Sequence, residues 1–224
     1  MKTQERQRRR LFWVVVTLLL ICLGGRLYHK YLNQNSASLL RSVAKNTAKP
    51  FTYQARASKA VAERVAGQDF PPGYYDLSVT GGRVNGLASG QRLENQFYNP
   101  AEHLSFQGSG RVQFKPARFS PLVFTAGQCI LTNTYGNYLA GAEIASGDYT
   151  ITWRRNQNSS TKFALLVQVV SKNKTTSTDG PSWGTQLLPG QTAHFKLKPH
   201  DLLAIVPPVE NRAIAQLELM INRD

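Results

Sequence analysis

Sulfur-containing residues and acidic residues are scarce in this chain of 224 residues. It has two cysteines, two methionines and only 13 Asp and Glu residues against 27 Lys and Arg residues, so its formal net charge is +14. Two cysteines are too few for a disulfide-rich scaffold, and no Cys or His spacing indicates a zinc site. An apolar fraction of 42% excludes a wholly disordered chain. We expect no metal and no organic cofactor.

The common catalytic motifs are also missing. The sequence contains no G-x-S-x-G, no H-E-x-x-H and no P-loop. We therefore predict a protein that is not an enzyme, with no catalytic, cofactor-binding or metal-binding residues. The alternative is a cell-envelope hydrolase with an unrecognised active site, in which the fold brings His194 or His200 to Asp201 or Glu210.

A basic cluster precedes the longest apolar run, LFWVVVTLLLICLGG, at residues 11–25. A membrane-spanning helix needs about 20 residues, and the run reaches that length when it extends to Tyr31 with Arg26 and Lys30 directed toward the interface. We predict a cytoplasmic basic tail at 1–10 and a transmembrane signal-anchor helix at 11–31 that contacts the lipid bilayer. The positive charges before the span place the amino terminus in the cytoplasm. The localisation predicted is therefore the cell membrane, single-pass, with the carboxyl-terminal domains outside the cell.

Two other interpretations of this segment stay open. A basic region followed by a short apolar run also fits a cleaved signal peptide, but no small-x-small cleavage site closes the run. A lipoprotein signal needs a small residue before the cysteine, whereas Ile21 precedes Cys22. We favour the uncleaved anchor.

The chain after residue 31 is polar and basic, and then its texture changes. We predict a basic stalk or linker at 32–60, with a short amphipathic helix at 38–45. From residue 61 onward, short runs of Val, Ile, Leu, Phe, Tyr and Thr alternate with Gly, Asn, Asp and Pro, which is typical of β-strands and turns. The predicted strands cover residues 74–79, 111–114, 122–124, 129–132, 148–153, 162–170, 192–197, 202–206 and 214–221.

An internal repeat is the most specific feature of the sequence. Residues 66–77, AGQDFPPGYYDL, align without a gap with residues 140–151, AGAEIASGDYTI. Both copies keep two glycines, an acidic residue and a tyrosine: Gly67, Asp69, Gly73, Tyr75 and Gly141, Glu143, Gly147, Tyr149. The pattern predicts a loop that leads into a strand, with glycines where the backbone needs positive φ. A weaker echo pairs Lys115-Pro116 with Lys198-Pro199.

At these residues the sequence resembles a family of extracytoplasmic bacterial proteins. They carry a motif of the type Y-x-x-G-x-D-I-P-x-G-x-Y, usually outside a membrane anchor or lipoprotein signal. The second copy begins with Tyr138 and has Glu143 for Asp; the first has Arg64 for the leading Tyr and Phe70 for Ile. The resemblance implies small all-β modules at the cell surface and adds almost no chemistry. We expect an all-β fold of two related antiparallel β-sandwich-like modules, at 61–127 and 128–224.

Two kinds of residue in the repeats invite a functional interpretation. The equivalent acids Asp69 and Glu143 could bind calcium, but no dense acidic loop accompanies them, so we expect each to accept hydrogen bonds from its own turn. Trp183 lies in the segment Gly180-Pro181-Ser182-Trp183-Gly184, where it could bind a ligand as an exposed aromatic residue or close the end of a sandwich.

The positive charge is concentrated at one end of the chain. Residues 1–60 hold 12 basic residues and one acidic residue, whereas residues 61–224 hold 15 basic and 12 acidic residues. The nearly balanced β region therefore gives no indication of nucleic-acid binding. We expect a membrane-anchored extracytoplasmic binding or structural protein, with an anionic envelope polymer, a glycan or an envelope protein as partner.

Overall fold

The structure, a computed structural model, describes residues 41–56, 62–154, 164–171, 183–207 and 217–224. Contacts divide the chain into two units, 1–40 and 41–224, and every described residue belongs to the second. The predicted helix at 11–31 lies outside these ranges. Within them, no helix combines the length and the apolar character that crossing a bilayer requires.

The regular secondary structure of the described residues consists of β-strands and one 3₁₀ turn at Val43–Lys45. The all-β prediction is therefore confirmed for this part of the chain. The strands are β1 Phe51–Ala55, β2 Ala62–Val65, β3 Gly73–Val84, β4 Leu87–Ala88, β5 Arg92–Tyr98, β6 His103–Phe106, β7 Gly108–Pro116, β8 Gln128–Thr132, β9 Thr134–Leu139, β10 Gly147–Trp153, β11 Leu165–Val170, β12 Trp183–Leu187, β13 Thr192–Leu197, β14 Leu202–Val206 and β15 Glu218–Arg223.

The strands form two β-sandwich-like modules, β1–β7 (module 1) and β8–β15 (module 2). In module 1, strands in the order β1-β7-β3-β5 pack on the hairpin β2-β6, and β4 extends β3. In module 2, strands in the order β13-β10-β15-β8 pack on β9-β14-β11-β12. The pairing matches strand for strand: β7 lies between β1 and β3 as β15 lies between β8 and β10. Module 2 differs by the hairpin β11-β12, which takes the place of the short β3-β4 turn at Asn85-Gly86.

Alternation of apolar and polar residues creates these sandwiches. Along β10, Tyr149, Ile151 and Trp153 are buried, while Thr150 and Thr152 between them point to the outer face. Because successive strand residues face opposite sides, one such strand supplies both a core row and a surface row. β3 does the same with buried Tyr75, Leu77 and Val79.

The two modules share one nine-stranded sheet, because β5 of module 1 pairs with β9 of module 2. This pairing is parallel, unlike the antiparallel pairing predicted, with Leu93 opposite Tyr135 and Glu94 opposite Gly136. The core row of module 1 thus continues into Tyr135. The alternate residues of β9, such as Tyr138, share the other face with buried Leu203 of module 2. Buried residues therefore lie on both faces of this sheet, and they belong to one continuous hydrophobic core.

The structure differs from the expected stalk, because the described residues from Arg41 onward already pack against the β region. β1 falls within the segment 32–60, yet it pairs with β7 along its whole length, from Phe51 opposite Phe114 to Ala55 opposite Gly110. Module 1 therefore begins before residue 61 and ends with β7 at Pro116. The strand predicted at 122–124 is wrong: those residues belong to the connection between the modules.

Candidate functional site at the junction of the two modules

The two aligned segments adopt the same loop. Gly67 N–H donates to Phe70 O, and Gly141 N–H donates to Ile144 O; the donor–acceptor distance is 2.7 Å in both. The φ angles of these glycines are 88° and 89°. In each copy the acidic residue four positions after the last strand residue accepts a hydrogen bond from that residue's N–H: Asp69 from Val65 at 2.8 Å and Glu143 from Leu139 at 2.6 Å. This is the arrangement that the turn interpretation predicts.

The strand entries after the loops also match. Tyr75 donates its hydroxyl hydrogen to Pro71 O, and Tyr149 donates to Ala145 O; the oxygen–oxygen distance is 2.7 Å in both. Both rings are buried. Each tyrosine thus ties the beginning of its strand back to the loop that precedes it, while its ring fills the core.

The weaker echo in the sequence is placed differently by the structure. Residues 198–201 correspond to 99–102, not to the pair at 115–116. Asn99 N–H donates to Glu102 Oε2 at 2.7 Å as Lys198 N–H donates to Asp201 Oδ2 at 2.8 Å. In both copies the first alanine of the loop donates its N–H to the carbonyl oxygen of this same acidic residue. Ala66 donates to Glu102 O, and Ala140 donates to Asp201 O.

A further matched pair of turns contains Gly-Gln. The side chain of Gln91 accepts from Ala88 N–H at 2.8 Å, and that of Gln191 accepts from Leu188 N–H at 3.0 Å. In the sequence these turns are S-G-Q at 89–91 and P-G-Q at 189–191, which are 100 positions apart. The two copies of the first repeat are 74 positions apart. The inserted β11-β12 hairpin explains the change, and a search at a fixed offset misses the pair.

Module 1 departs from module 2 at Asn95, where β5 carries one extra residue. Asn95 has φ of 58°, and the pairing register of β3 with β5 shifts there. Its N–H donates to Asp76 Oδ1 at 2.9 Å, and its side-chain nitrogen donates to Asn137 O of module 2 at 3.1 Å. This β-bulge, which β13 lacks, thus helps to form the junction.

The most deeply buried ion pair among the described residues also lies at the junction. Arg41 contacts Glu143 Oε2 through one guanidinium nitrogen, and the side chains are 3% and 1% exposed. The same nitrogen donates to Asn137 O at 2.6 Å. The guanidinium also lies over the rings of Tyr74 and Phe119, at 5.3 and 5.8 Å from their centroids.

The residues that follow Arg41 bind the other module. Asn46 donates its side-chain N–H to Tyr74 O at 2.9 Å and accepts from Tyr74 N–H at 3.0 Å. A six-residue segment therefore holds module 2 at its first residue and module 1 at its last. We call residues 41–46 the clasp.

Three carboxyl groups surround this junction, and burial raises the pKa of each: Asp76, Glu94 and Glu143. Arg92 opposes the rise in the pKa of Asp76 and Glu94, and Arg41 opposes it for Glu143. Tyr138 of module 2 donates its hydroxyl hydrogen to Glu94 Oε2 at 3.2 Å. Perturbed carboxyl pKa values cluster at functional sites and in structural ion-pair networks alike, and these groups join two modules. The junction is therefore the candidate functional site, and its charged groups serve to join the two modules.

Trp183, the aromatic residue singled out from the sequence, is half-buried at the first position of β12. Its ring lies 5.5 Å from that of Phe195 and packs against the core. Of the two interpretations, this packing matches the residue that closes a sandwich.

The histidines proposed for a hydrolase are exposed. His194 lies on β13 opposite Thr150, and His200 occupies a turn with φ of 70°. Asp201 is buried and accepts from Lys198 N–H; Glu210 lies outside the described residues. In the described part of the chain, no hydrogen bond or ion pair joins either histidine side chain to a carboxylate, and no cluster of three or more His, Cys, Asp or Glu side chains is arranged to hold a metal ion.

A shallow open groove of about 560 Å³ lies on module 1, away from the junction. Gly82 and Gly110 line it where β3 approaches β7 so closely that a Cβ atom on Gly82 would lie 2.0 Å from Ser109 O. Its glycines serve this close backbone approach, and its single charged side chain is Arg111.

Comparisons of the chain with protein-family models, with curated proteins and with solved structures find no match.

Proposed function

We propose that this protein is a membrane-anchored, extracytoplasmic display protein that acts by binding or by structure and not by catalysis. Residues 11–31 form its anchor, and residues 41–224 form a two-module head at the cell surface. The observation that carries the proposal is the clasp. Residues 41–46, which begin ten positions after the end of the predicted anchor segment, contact both modules, so the chain enters the head at the joint between them.

The charge distribution supports the same function. The basic residues at 2–10 suit a cytoplasmic tail that remains inside, because the positive-inside rule reads charges close to the span. The β region carries nearly balanced charge and two copies of one structural unit. Duplicated modules joined into one sheet present a large fixed surface, which is a property of adhesive and structural proteins and does not depend on a catalytic cleft.

Cysteine labelling of intact cells tests the topology. In a full chain carrying Cys22→Ser and Cys129→Ala, we introduce Gln186→Cys on exposed β12 or, as the matched control, Thr3→Cys in the basic tail. A membrane-impermeant maleimide is expected to label position 186 in intact cells and position 3 only after lysis. Labelling of position 3 alone in intact cells, or of neither position until lysis, contradicts the proposal.

A further inference from the structure

The outer face of module 2 carries two complete rows of uncharged side chains across the sheet β13-β10-β15-β8. Cross-strand pairing defines both rows. The first consists of Gln128, Asn222, Thr150 and His194, and the second of Ile130, Met220, Thr152 and Thr192. No Lys, Arg, Asp or Glu interrupts either row. We call these eight residues the neutral face.

Neighbouring side chains in the rows bind one another. Gln128 donates to Asn222 Oδ1 at 3.1 Å, and Asn222 donates to Thr150 Oγ1 at 3.3 Å. The hydroxyls of Thr152 and Thr192 lie 2.8 Å apart. These contacts hold amide and hydroxyl groups in fixed positions, so a ligand meets them without ordering long, flexible side chains.

Charged groups lie at the margins of the neutral face. Arg154 contacts Glu218 at 2.5 Å at one end of the strands, and Lys196 contacts Asp148 at 3.0 Å at the other, where exposed Asp224 also lies beside Asp148. The equivalent outer face of module 1 is different, because Arg92 lies across from Ser78, and Lys115 across from Asp76. The two modules thus keep the same backbone and differ in the chemistry of this surface.

An exposed apolar residue lies within the neutral face. Ile130 is 47% exposed, beside half-buried Met220. Amides and hydroxyls that both donate and accept hydrogen bonds, next to aliphatic surface, suit the hydroxyl groups and C–H faces of an uncharged sugar. Strands lie about 4.8 Å apart, so each row repeats at close to the length of one ring in an extended glycan.

The size of the face argues against a second copy of the chain as its occupant. Four strands about 4.8 Å apart and rows of this length cover on the order of 300 Å², whereas a stable protein interface buries about 800 Å² on each partner. The two rows themselves contain no Lys, Arg, Asp or Glu with which to bind an ionic polymer. We propose that the neutral face of module 2 binds an extended, uncharged glycan chain. This inference rests on the proposed function, since it names a ligand for the displayed head.

Methyl NMR of Met220 tests the site directly, because the chain has only two methionines, Met1 and Met220. The full chain, labelled with ¹³C-methyl methionine in a detergent without a sugar headgroup, is titrated with cellopentaose and chitopentaose. We expect the Met220 signal to shift with at least one of them and the Met1 signal to remain unchanged. Polygalacturonate, a charged polymer, should leave both signals in place. A Met220 signal unchanged by both uncharged oligosaccharides overturns the proposal.

A matched pair of substitutions tests the contrast between the modules. Thr152→Glu places a charge in the neutral face, and Ser78→Glu makes the same change at the equivalent position of β3. We expect Thr152→Glu to weaken oligosaccharide binding at least tenfold and Ser78→Glu to leave it unchanged; equal losses contradict the proposal. Ile130→Gln, on edge strand β8, is the second variant if Thr152→Glu does not fold, with the same expected loss.

Sedimentation distinguishes the second copy from the sugar. A dimer that Thr152→Glu dissociates, without any shift of Met220 on adding sugar, overturns the proposal in favour of self-association. Binding in detergent does not depend on the orientation of the chain in a cell, and cysteine labelling does not depend on binding. Failure of the glycan proposal is therefore separate from failure of the display proposal.

Discussion

The loops around Asp69 and Glu143 share a backbone but lie in opposite environments. Each carboxylate accepts a hydrogen bond from the residue four positions earlier. Asp69 is exposed and pairs with Arg64 of its own hairpin, and the hydrogen bond from Val65 N–H holds its pKa below the ordinary value. Glu143 is buried, and burial raises its pKa although Arg41 opposes the rise. The same local motif serves as a surface turn in module 1 and as an anchoring point in module 2.

The difference shows how a duplicated unit acquires a new role without a new fold. The loop requires only an acid that accepts a backbone hydrogen bond, and that requirement is met in both copies. What changes is the charged partner of the carboxylate, which comes from 102 residues away for Glu143 and from five residues away for Asp69. Three experiments test this contrast and the junction that Glu143 helps to form, in order of decreasing expected effect.

Removal of the arginine partner separates the two loops most clearly. Arg41→Met should lower the free energy of unfolding by about 3–5 kcal/mol, because it leaves the buried Glu143 carboxylate without its counter-charge. The matched Arg64→Met should cost at most about 1 kcal/mol, because the Arg64–Asp69 pair is exposed to solvent. Urea unfolding of the full chain, followed by circular dichroism, measures both.

The double variant Arg41→Met/Glu143→Gln checks the cause of that loss. It should recover part of the stability lost in Arg41→Met, because the unpaired charge is gone. Additive losses in the double variant, or equal losses in Arg41→Met and Arg64→Met, would show that Arg41 acts through packing on Tyr74 and Phe119 and not through charge.

Gly136 tests the junction from the side of module 2. A Cβ atom at this position would lie 3.0 Å from Glu94 O and 2.9 Å from the Tyr138 hydroxyl oxygen. Gly136→Ala should therefore cost about 1–3 kcal/mol by pushing β9 away from β5. Gly184→Ala is the control, since Gly184 lies in exposed edge strand β12 opposite Gln168. A loss of the same size in both variants contradicts the role assigned to the close approach.

Glu94→Gln should give the smallest effect, with a pH dependence of defined sign. Burial raises the pKa of Glu94 in the folded protein, so the folded state binds this proton more tightly than the unfolded chain does. The resulting stabilisation is complete below the unfolded pKa, about 4.3, and is lost as the pH rises through the folded value. Because Gln resembles the protonated acid, the variant should be more stable than the wild type at pH 7 and equal to it near pH 4.

Urea midpoints between pH 4 and pH 7 measure this effect. Glu63→Gln is the control, because its side chain is 58% exposed on β2 and its contact with exposed His103 is worth at most about 1 kcal/mol. If the difference in urea midpoint between Glu94→Gln and the wild type stays constant across this pH range, protonation of Glu94 does not contribute to stability.

The repeated loop was predictable because its requirements are local. Positive φ at Gly67 and Gly141, a turn acid and a core tyrosine each need a particular residue type at a fixed spacing. Edge and junction strands were harder to predict. β1 alternates Phe51, Tyr53 and Ala55 with polar residues, but the basic residues around it led to its assignment as stalk. In β5 the bulge at Asn95 interrupts the alternation, and Gly136 does so in β9.

The junction itself could not be derived from the sequence. The Arg41–Glu143 contact joins residues 102 positions apart, and nothing in the local pattern of either indicates the other. The pairing of β5 with β9 involves the bulge at Asn95 and the close approach at Gly136, and the local pattern of neither residue indicates the other. Local rules therefore define each module, whereas their union depends on a few long-range contacts.

The clasp has a mechanical consequence for a head held by its amino-terminal segment. A pulling force transmitted along the chain enters the described unit at Arg41 and reaches β1 only after Asn46. The load therefore falls first on the contacts that the clasp makes with the two modules. These are Arg41 with Asn137 and Glu143, and then Asn46 with Tyr74. Rupture of these contacts would lengthen the connection to the head while the β-strands of both modules stay paired. The clasp would therefore take up the load before it reaches the modules.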